Sequence, residues 1–220
     1  MDTKTRITQA AARLFFKNGY EKTTMRAIGE EVGISHVSIL SHFNNKADIA
    51  STTWWNYIRG LQLKCDQIIS ELPAPYQQNA EYYHQILWWT LHYKLLSDNR
   101  AFREFFISFT HEGPVMTAQQ IHQSVFLENG MQLLTIEKSD EFVTNNLITA
   151  IDASLASLIG FSMIDYVQAA QKIVLISKAI GNLPIDLPTL DEIQAFADKY
   201  VAAVQVDILN EFLLADASGE

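Results

Sequence analysis

Between Arg26 and Lys46 the chain carries Arg26, Ser35, His36, Ser38, His42 and Lys46, a run of hydrogen-bonding side chains closed at each end by a permanent cation. The chemistry these residue types suit is recognition by hydrogen bonding. An arginine fork matches the two acceptors that guanine shows in the major groove, a contact worth about 1–3 kcal/mol of discrimination. On a helix Arg26 also lies four residues before Glu30, where the two would form an ordinary surface pair.

For these side chains to act together, short elements must hold them on one surface. Thr23 or Thr24 is placed to cap a helix, since a hydroxyl there accepts from the unpaired N–H groups of the first turn. Met25, Ile28 and Val32 then recur at three- to four-residue spacing and give that helix one buried face. Gly33 ends it, in the position where helices commonly close with a left-handed residue. Ser35 caps the next helix at once, with Ile39 and Phe43 as inward anchors and His36, Ser38 and Ser41 left outside. Two helices joined by so short a turn cross steeply, the geometry of a helix-turn-helix, whose second helix enters the major groove.

At these residues the sequence resembles the TetR family of transcriptional repressors. The resemblance is carried by Ile7, Ala10, Ala11, Leu14, Phe15, Gly19, Tyr20, Thr23, Thr24, Arg26, Ile28, Val32, Gly33, Ile34, Ser35, Ile39, His42, Phe43, Asn45 and Lys46, and covers about the first fifth of the chain. It implies that Thr24, His42 and Lys46 act on phosphates, while Arg26, His36 and Ser38 face base edges. In that family the position of Leu40 is usually a tyrosine touching a phosphate, and that of Val37 a small residue or proline. Leucine cannot donate that hydrogen bond, so no phosphate role is carried onto Leu40; a groove-facing leucine has a thymine methyl or a sugar to meet instead.

The 220 residues are long enough for one large or two small domains, and 48% of them are hydrophobic. Prolines and glycines are few and mostly fall between apolar-periodic segments, which predicts helices throughout. A single cysteine, Cys65, excludes an internal disulfide and any multi-cysteine zinc site, and reads as a buried or half-buried helix residue. No basic N-terminal region precedes an apolar run, and the most apolar run, residues 153–164, is shorter than the ~20 residues a span requires. A soluble, cytoplasmic protein is expected. The net charge of −9 divides unevenly: residues 1–50 hold seven Lys/Arg against five Asp/Glu, and the rest nine against twenty. The end carrying the helix-turn-helix is therefore the positive one, which suits approach to phosphate.

Ahead of the helix-turn-helix, Ile7, Ala10, Ala11, Leu14 and Phe15 mark one face of a helix over residues 2–18, with Phe15, Phe16 and Tyr20 assigned to the core. Asn45 with Asp48 resembles a capping box opening a helix from Lys46 to Glu71, ended by Pro73 and Pro75. This helix starts in the N-terminal domain and finishes in the body, linking them mechanically. Further helices are expected over 79–96, 100–111, 116–134, 139–168 with a bend or break before a shorter helix ending near Gly181, and 190–215, the last opened by a Thr189/Glu192 capping box. The tail from Asp216 is expected to fray.

In the body, Trp88, Trp89, Tyr93, Phe105, Phe106 and Phe109 either line a pocket for an apolar or aromatic small molecule or form plain core; His92 is the polar group such a pocket would use. Asp152, with Ala153, Ala156, Ser157 and Gly160 at close-packing spacing, reads as a dimer seam or a core seam, with ligand contact as the alternative. The resemblance implies that the last two long helices pair with their copies in a four-helix interface. A dimer also follows from geometry, since two second helices about 34–36 Å apart read successive major grooves of a palindrome.

His111-Glu112 is followed at once by Gly113 and Pro114, so no HExxH helix exists, and there is no GxSxG, phosphate-binding glycine loop or dinucleotide fingerprint. No catalytic residue, metal or cofactor is expected. The sequence thus describes an all-α protein: a three-helix helix-turn-helix DNA-binding domain over residues 1–46, then a helical bundle over 47–220 for ligand binding and dimerisation. The function expected is a homodimeric, ligand-responsive regulator, a repressor of a palindromic operator released by a small effector. The alternatives are a helical protein that has lost DNA reading and binds a partner, and a helical enzyme.

Overall fold

The computed structural model describes residues 2–111, 138–181 and 189–214. Ten α-helices lie among these residues: α1 Thr3–Asn18, α2 Met25–Val32, α3 His36–Leu40, α4 Lys46–Glu71, α5 Ala74–Gln78, α6 Ala80–Asp98, α7 Arg100–Thr110, α8 Lys138–Gly160, α9 Tyr166–Gly181 and α10 Leu190–Phe196. Two π-helical segments, Ala197–Val201 and Ile208–Leu213, follow. No strand occurs among the described residues, so the fold is all-α. No described helix is long and apolar enough to cross a membrane. The helix expected over 116–134, the Gly113–Pro114 break and the tail from Asp216 lie outside the described residues.

The N-terminal helices start where side chains can satisfy their free N–H groups. Asp2 caps α1, and Asn45 caps α4 by accepting from the Asp48 amide at 2.9 Å. The reach-back expected from Asp48 goes one residue further than a capping box: its carboxylate accepts from the amide of Asn44, at 3.0 Å, and from the Asn44 side chain. Pro73 ends α4 as expected, although the residues after it form the short α5. The long helix expected over 139–168 breaks at Phe161–Asp165, where Ser162 takes a left-handed φ of 56°. Asp165 and Gln168 then cap α9 reciprocally, each accepting from the other's amide at 2.8 and 3.0 Å. Likewise, the expected final helix is interrupted between Ala202 and Asp207, after which Asp207 caps the second π-helical segment.

One hydrophobic core runs from Ile7 on α1 to Leu213 near the end of the described chain. Helix α7 lies against both α1 and α8, so the N-terminal helices are joined to the body by more than α4. Phe15 of α1 stacks on Phe105 of α7 at 5.1 Å between ring centroids, and Tyr20 meets Phe105 and Phe109 edge-on. The C-terminal segment closes over α4 and α1. Gln9 donates to the Leu214 carbonyl at 2.7 Å, Lys64 pairs with Glu211 at 3.8 Å, and the Phe212 ring occupies the space over Gly60.

Helix α4 is anchored in the body by buried polar contacts. Tyr57 on α4 bonds His92 Nδ1 on α6 at 2.7 Å, and His92 Nε2 lies 3.1 and 3.2 Å from the two carboxylate oxygens of Asp152 on α8. Burial, helped by the Asp152 charge, holds the Tyr57 phenol well above its ordinary range, so it keeps its proton. A carboxylate only accepts, so the imidazole donates from Nε2 to Asp152, and the bare Nδ1 of the neutral ring accepts from the Tyr57 hydroxyl. One turn along, Gln62 and Asp66 of α4 meet His84 of α6 at 2.9 and 3.1 Å.

Two stability outcomes follow from these contacts. Tyr57→Phe removes one hydrogen bond and should lower unfolding free energy by about 1 kcal/mol, whereas His92→Leu leaves the Asp152 carboxylate buried without its donor and should cost roughly 3–5 kcal/mol; equal losses in urea titrations would contradict this order of donors. A β-carbon on Gly60 would lie 2.5 Å from Phe212 Cγ and 2.8 Å from its Cβ. Gly60→Ala should accordingly destabilise by about 1–3 kcal/mol, and by clearly less in a Phe212→Ala background.

Candidate nucleic-acid interface

The turn between α2 and α3 fixes everything that faces outward here. Thr24 caps α2, its hydroxyl accepting from the Ala27 amide at 3.1 Å. At the other end Gly33 adopts φ 77° and ψ 32°, the left-handed conformation expected of it. Its amide donates to the Glu30 carbonyl at 3.3 Å and the Ile34 amide to the Gly29 carbonyl at 2.9 Å. This pair of bonds is a Schellman closure, which satisfies carbonyls that the helix end would leave free.

Ser35 then caps α3, accepting from the Ser38 amide at 3.1 Å, and Ile39 and Phe43 are buried beneath. His36, Val37, Ser38, Leu40, Ser41 and His42 are all exposed. The hydroxyls on this surface are used locally. Ser35 and Ser38 oxygens lie 2.9 Å apart in a mutual hydrogen bond, and Ser41 donates to the Ser38 carbonyl at 2.7 Å. Both cations in the run also have partners. Arg26 Nε meets Glu30 at 2.9 Å, the surface pair expected as its alternative role, with the arginine side chain 84% exposed. Such i,i+4 pairs are worth about 0.3–0.5 kcal/mol, so this one is readily exchanged. Lys46 Nζ donates to the Tyr20 carbonyl at 3.0 Å and sits 3.9 Å from the Tyr20 ring centroid, tying the start of α4 to the end of α1.

Two residues that position this surface escape a reading by periodicity. Gly29 lies so close to the turn that a β-carbon there would be 2.8 Å from the Ile34 carbonyl oxygen. The signal for it is a glycine inside a helix, where alanine would be more stable. Arg6 of α1 donates to the Val32 carbonyl at 2.8 Å and holds the end of α2; its sequence position carries no mark of that role.

The aromatic residues expected either to line a pocket or to form plain core lie in the body. Trp88, His92, Tyr93, Phe105, Phe106 and Phe109 are all buried, and only Trp89 keeps part of its surface open. Their rings pack on one another and on neighbouring helices: Trp54 on Phe106 at 4.3 Å, Trp88 on His92 at 5.3 Å, Phe105 on Phe109 at 5.7 Å. The α7 aromatics thus form the seam toward α1 and α4, because α7 lies between them and α8. An open cleft of about 110 Å³ lies elsewhere, between α1, α4 and Leu213, and is lined mainly by polar side chains including Thr8, Gln9, Thr52 and Asn56.

Of the run expected to form a dimer seam or a core seam, Asp152, Ala153 and Ala156 are buried within the chain. Asp152 turns inward to His92, and the small residues let α8 approach its own neighbours. Ser157 is half-buried, donating to the Ala153 carbonyl, and Gly160 is exposed. Among the described residues no three His, Cys, Asp or Glu side chains converge as a metal site.

Residues 7–52 match the model for bacterial regulatory proteins of the TetR family. The chain is 42% identical over 48 residues to the HTH-type transcriptional regulator TtgR, and equally to the probable HTH-type transcriptional regulator ArpR, both of Pseudomonas putida. These matches cover 22% of this chain and 23% of either relative. Among solved structures, the TetR family transcriptional regulator PfmR of Thermus thermophilus aligns with 82% of this chain and 100% of its own, at 16% identity and a TM-score of 0.39. The fatty acid degradation regulator FadR of Bacillus halodurans aligns with 97% and 96%, also at 16% identity and a TM-score of 0.39. The capped helices and the left-handed turn fall within the matched stretch, and residues 7–52 form an N-terminal domain of the kind found in the TetR family of bacterial regulatory proteins.

Proposed function

We propose that the chain is a ligand-responsive transcriptional regulator, a repressor that binds a palindromic operator as a homodimer and releases it on binding a small apolar or aromatic effector. The observation that carries the DNA-binding part is α3 itself: capped by Ser35, anchored by Ile39 and Phe43, and exposed along the whole opposite side. In this reading residues 1–46 read DNA, and residues 47–220 bind effector and dimerise. Thr24, His42 and Lys46 meet phosphates; Lys46 does so with the ammonium protons that the Tyr20 carbonyl leaves over. Arg26, once exchanged from Glu30, faces a base edge with His36 and Ser38. Support for pairing of two copies comes from Leu147, Phe161, Met163 and Leu175 of the α8–α9 region, all large, apolar and exposed.

Helix α4 transmits the effector signal. It begins beside α3, and its middle is bonded through Tyr57 to α6 and, by way of His92, to α8. An effector entering the aromatic interior exchanges ring–ring contacts for ring–ligand contacts, with His92 as its polar partner, and shifts α4. The two α3 helices of the dimer then lose the spacing of successive grooves. Such coupling is a difference in effector affinity between two conformations.

Selection of bound fragments from random duplex DNA tests the DNA-binding part, with enrichment of an inverted repeat expected and no enrichment fatal to it. On the selected site, Arg26→Ala should relax preference at one base pair by about 1–3 kcal/mol; an equal loss on every sequence would assign Arg26 to phosphate instead. Effector coupling is reciprocal, so aromatic compounds followed by tryptophan fluorescence should bind more weakly in the presence of operator, by the factor with which they weaken operator binding. Identical affinities with and without operator would remove the allosteric mechanism.

A further inference from the structure

We infer that Val37 and Leu40 form an apolar ridge on α3 that reads thymine methyl groups, making the operator half-site one in which thymine is specified through its methyl group. The inference rests on the DNA-binding reading above and names the base chemistry it uses. Val37 is 74% and Leu40 45% exposed, the only large hydrophobic side chains of α3 left in solvent. They are three residues apart on a helix and so adjoin on its surface.

The polar groups around the ridge leave that role to it. The Ser35 and Ser38 hydroxyls bond each other, the Ser35 oxygen also receives the Ser38 amide, and Ser41 donates to the Ser38 carbonyl. That pairing takes up part of what the two hydroxyls can bond, and beside them and the imidazoles the α3 surface presents two aliphatic side chains. An aliphatic group can neither donate to N7 or O6 nor accept from an exocyclic amine. Of the features unmodified base pairs show in the major groove, only the thymine C5-methyl offers it an apolar contact. The charge pattern favours the same occupant over an apolar groove on another protein. The ridge lies in the fifty residues that carry excess positive charge, in a chain whose remainder is strongly acidic. A duplex offers methyl groups set within an anionic surface, which complements an apolar ridge in a cationic domain.

The experiment takes a duplex selected from a random pool and replaces its thymines, one position at a time, by deoxyuridine. This deletes the methyl and keeps both base pairing and the O4 acceptor. At one or two positions per half-site the affinity of the native chain should fall about fourfold, the equivalent of one apolar carbon returned to water. Val37→Ala and Leu40→Ala, whose folding is checked by thermal melting, should each lose discrimination between thymine and uracil at its own position and keep it at the other. Sequence-preferred binding that is indifferent to uracil at every position would overturn the ridge assignment and leave the DNA-binding reading standing. Absence of sequence-preferred binding to any duplex would overturn both.

Discussion

The backbone reversal at Gly33 is the constraint on which the outward surface depends. With φ at 77° a side chain would bring its β-carbon close to its own backbone, so a residue other than glycine would strain the turn. Gly29 constrains the same turn from beneath, because the Ile34 carbonyl occupies the space a methyl group would need. Together they leave only three residues between α2 and α3, and Ser35 then captures the free Ser38 amide. The direction in which His36, Val37, Leu40 and His42 point is thus decided by residues that never meet DNA in the proposed complex.

What joins this surface to the body is a continuous aromatic and polar packing. Helix α1 reaches α7 through Phe15 on Phe105, and α4 reaches α7 through Trp54 on Phe106. The bonded series Tyr57, His92 and Asp152 crosses three helices without exposing any of its members to water. Interiors packed at crystal density do not deform gradually. A molecule that parts these rings has to move whole helices, and α4 is the helix shared by the rings and the DNA-facing end. The C-terminal segment adds a second hold on α4, with Phe212 over Gly60 and the Leu214 carbonyl on Gln9 of α1. Displacement of α4 therefore also disturbs the chain's own C-terminal contacts.

Local signals in the sequence are legible wherever a single turn decides the structure. Thr24, Ser35, Asn45 and Thr189 each cap the helix expected of them, and Gly33 is left-handed. The break before α9 is equally local: Asp165 and Gln168 stand at capping-box spacing, but the apolar run before them reads as one continuous helix. Long-range partners are another matter. Aromatic residues at helical spacing show that a face is apolar, and say nothing of whether it meets a ligand or another ring. Asp152 similarly marks a polar point in an apolar run, while its partner His92 is sixty residues away and nothing in the spacing names it. Arg6 and Gln9 bind carbonyls, which every residue possesses, so no pattern of side chains could have indicated them.

The brevity of α3 shapes what it can read. Five residues make little more than one turn, too short to be stable in water without tertiary support. Part of that support comes from its own hydroxyls: Ser35 and Ser38 bond each other, Ser35 also accepts from the Ser38 amide and Ser41 donates to the Ser38 carbonyl, which orders the helix and takes up part of what these groups can bond. Breaking those bonds to reach a base would remove the restraint that aims the helix. Side chains free of this double duty are therefore the ones through which specificity can be gained without unmaking the element that carries them. On this surface the exposed aliphatic pair meets that condition, since burying Val37 and Leu40 in a groove removes apolar area from water and breaks no hydrogen bond of α3.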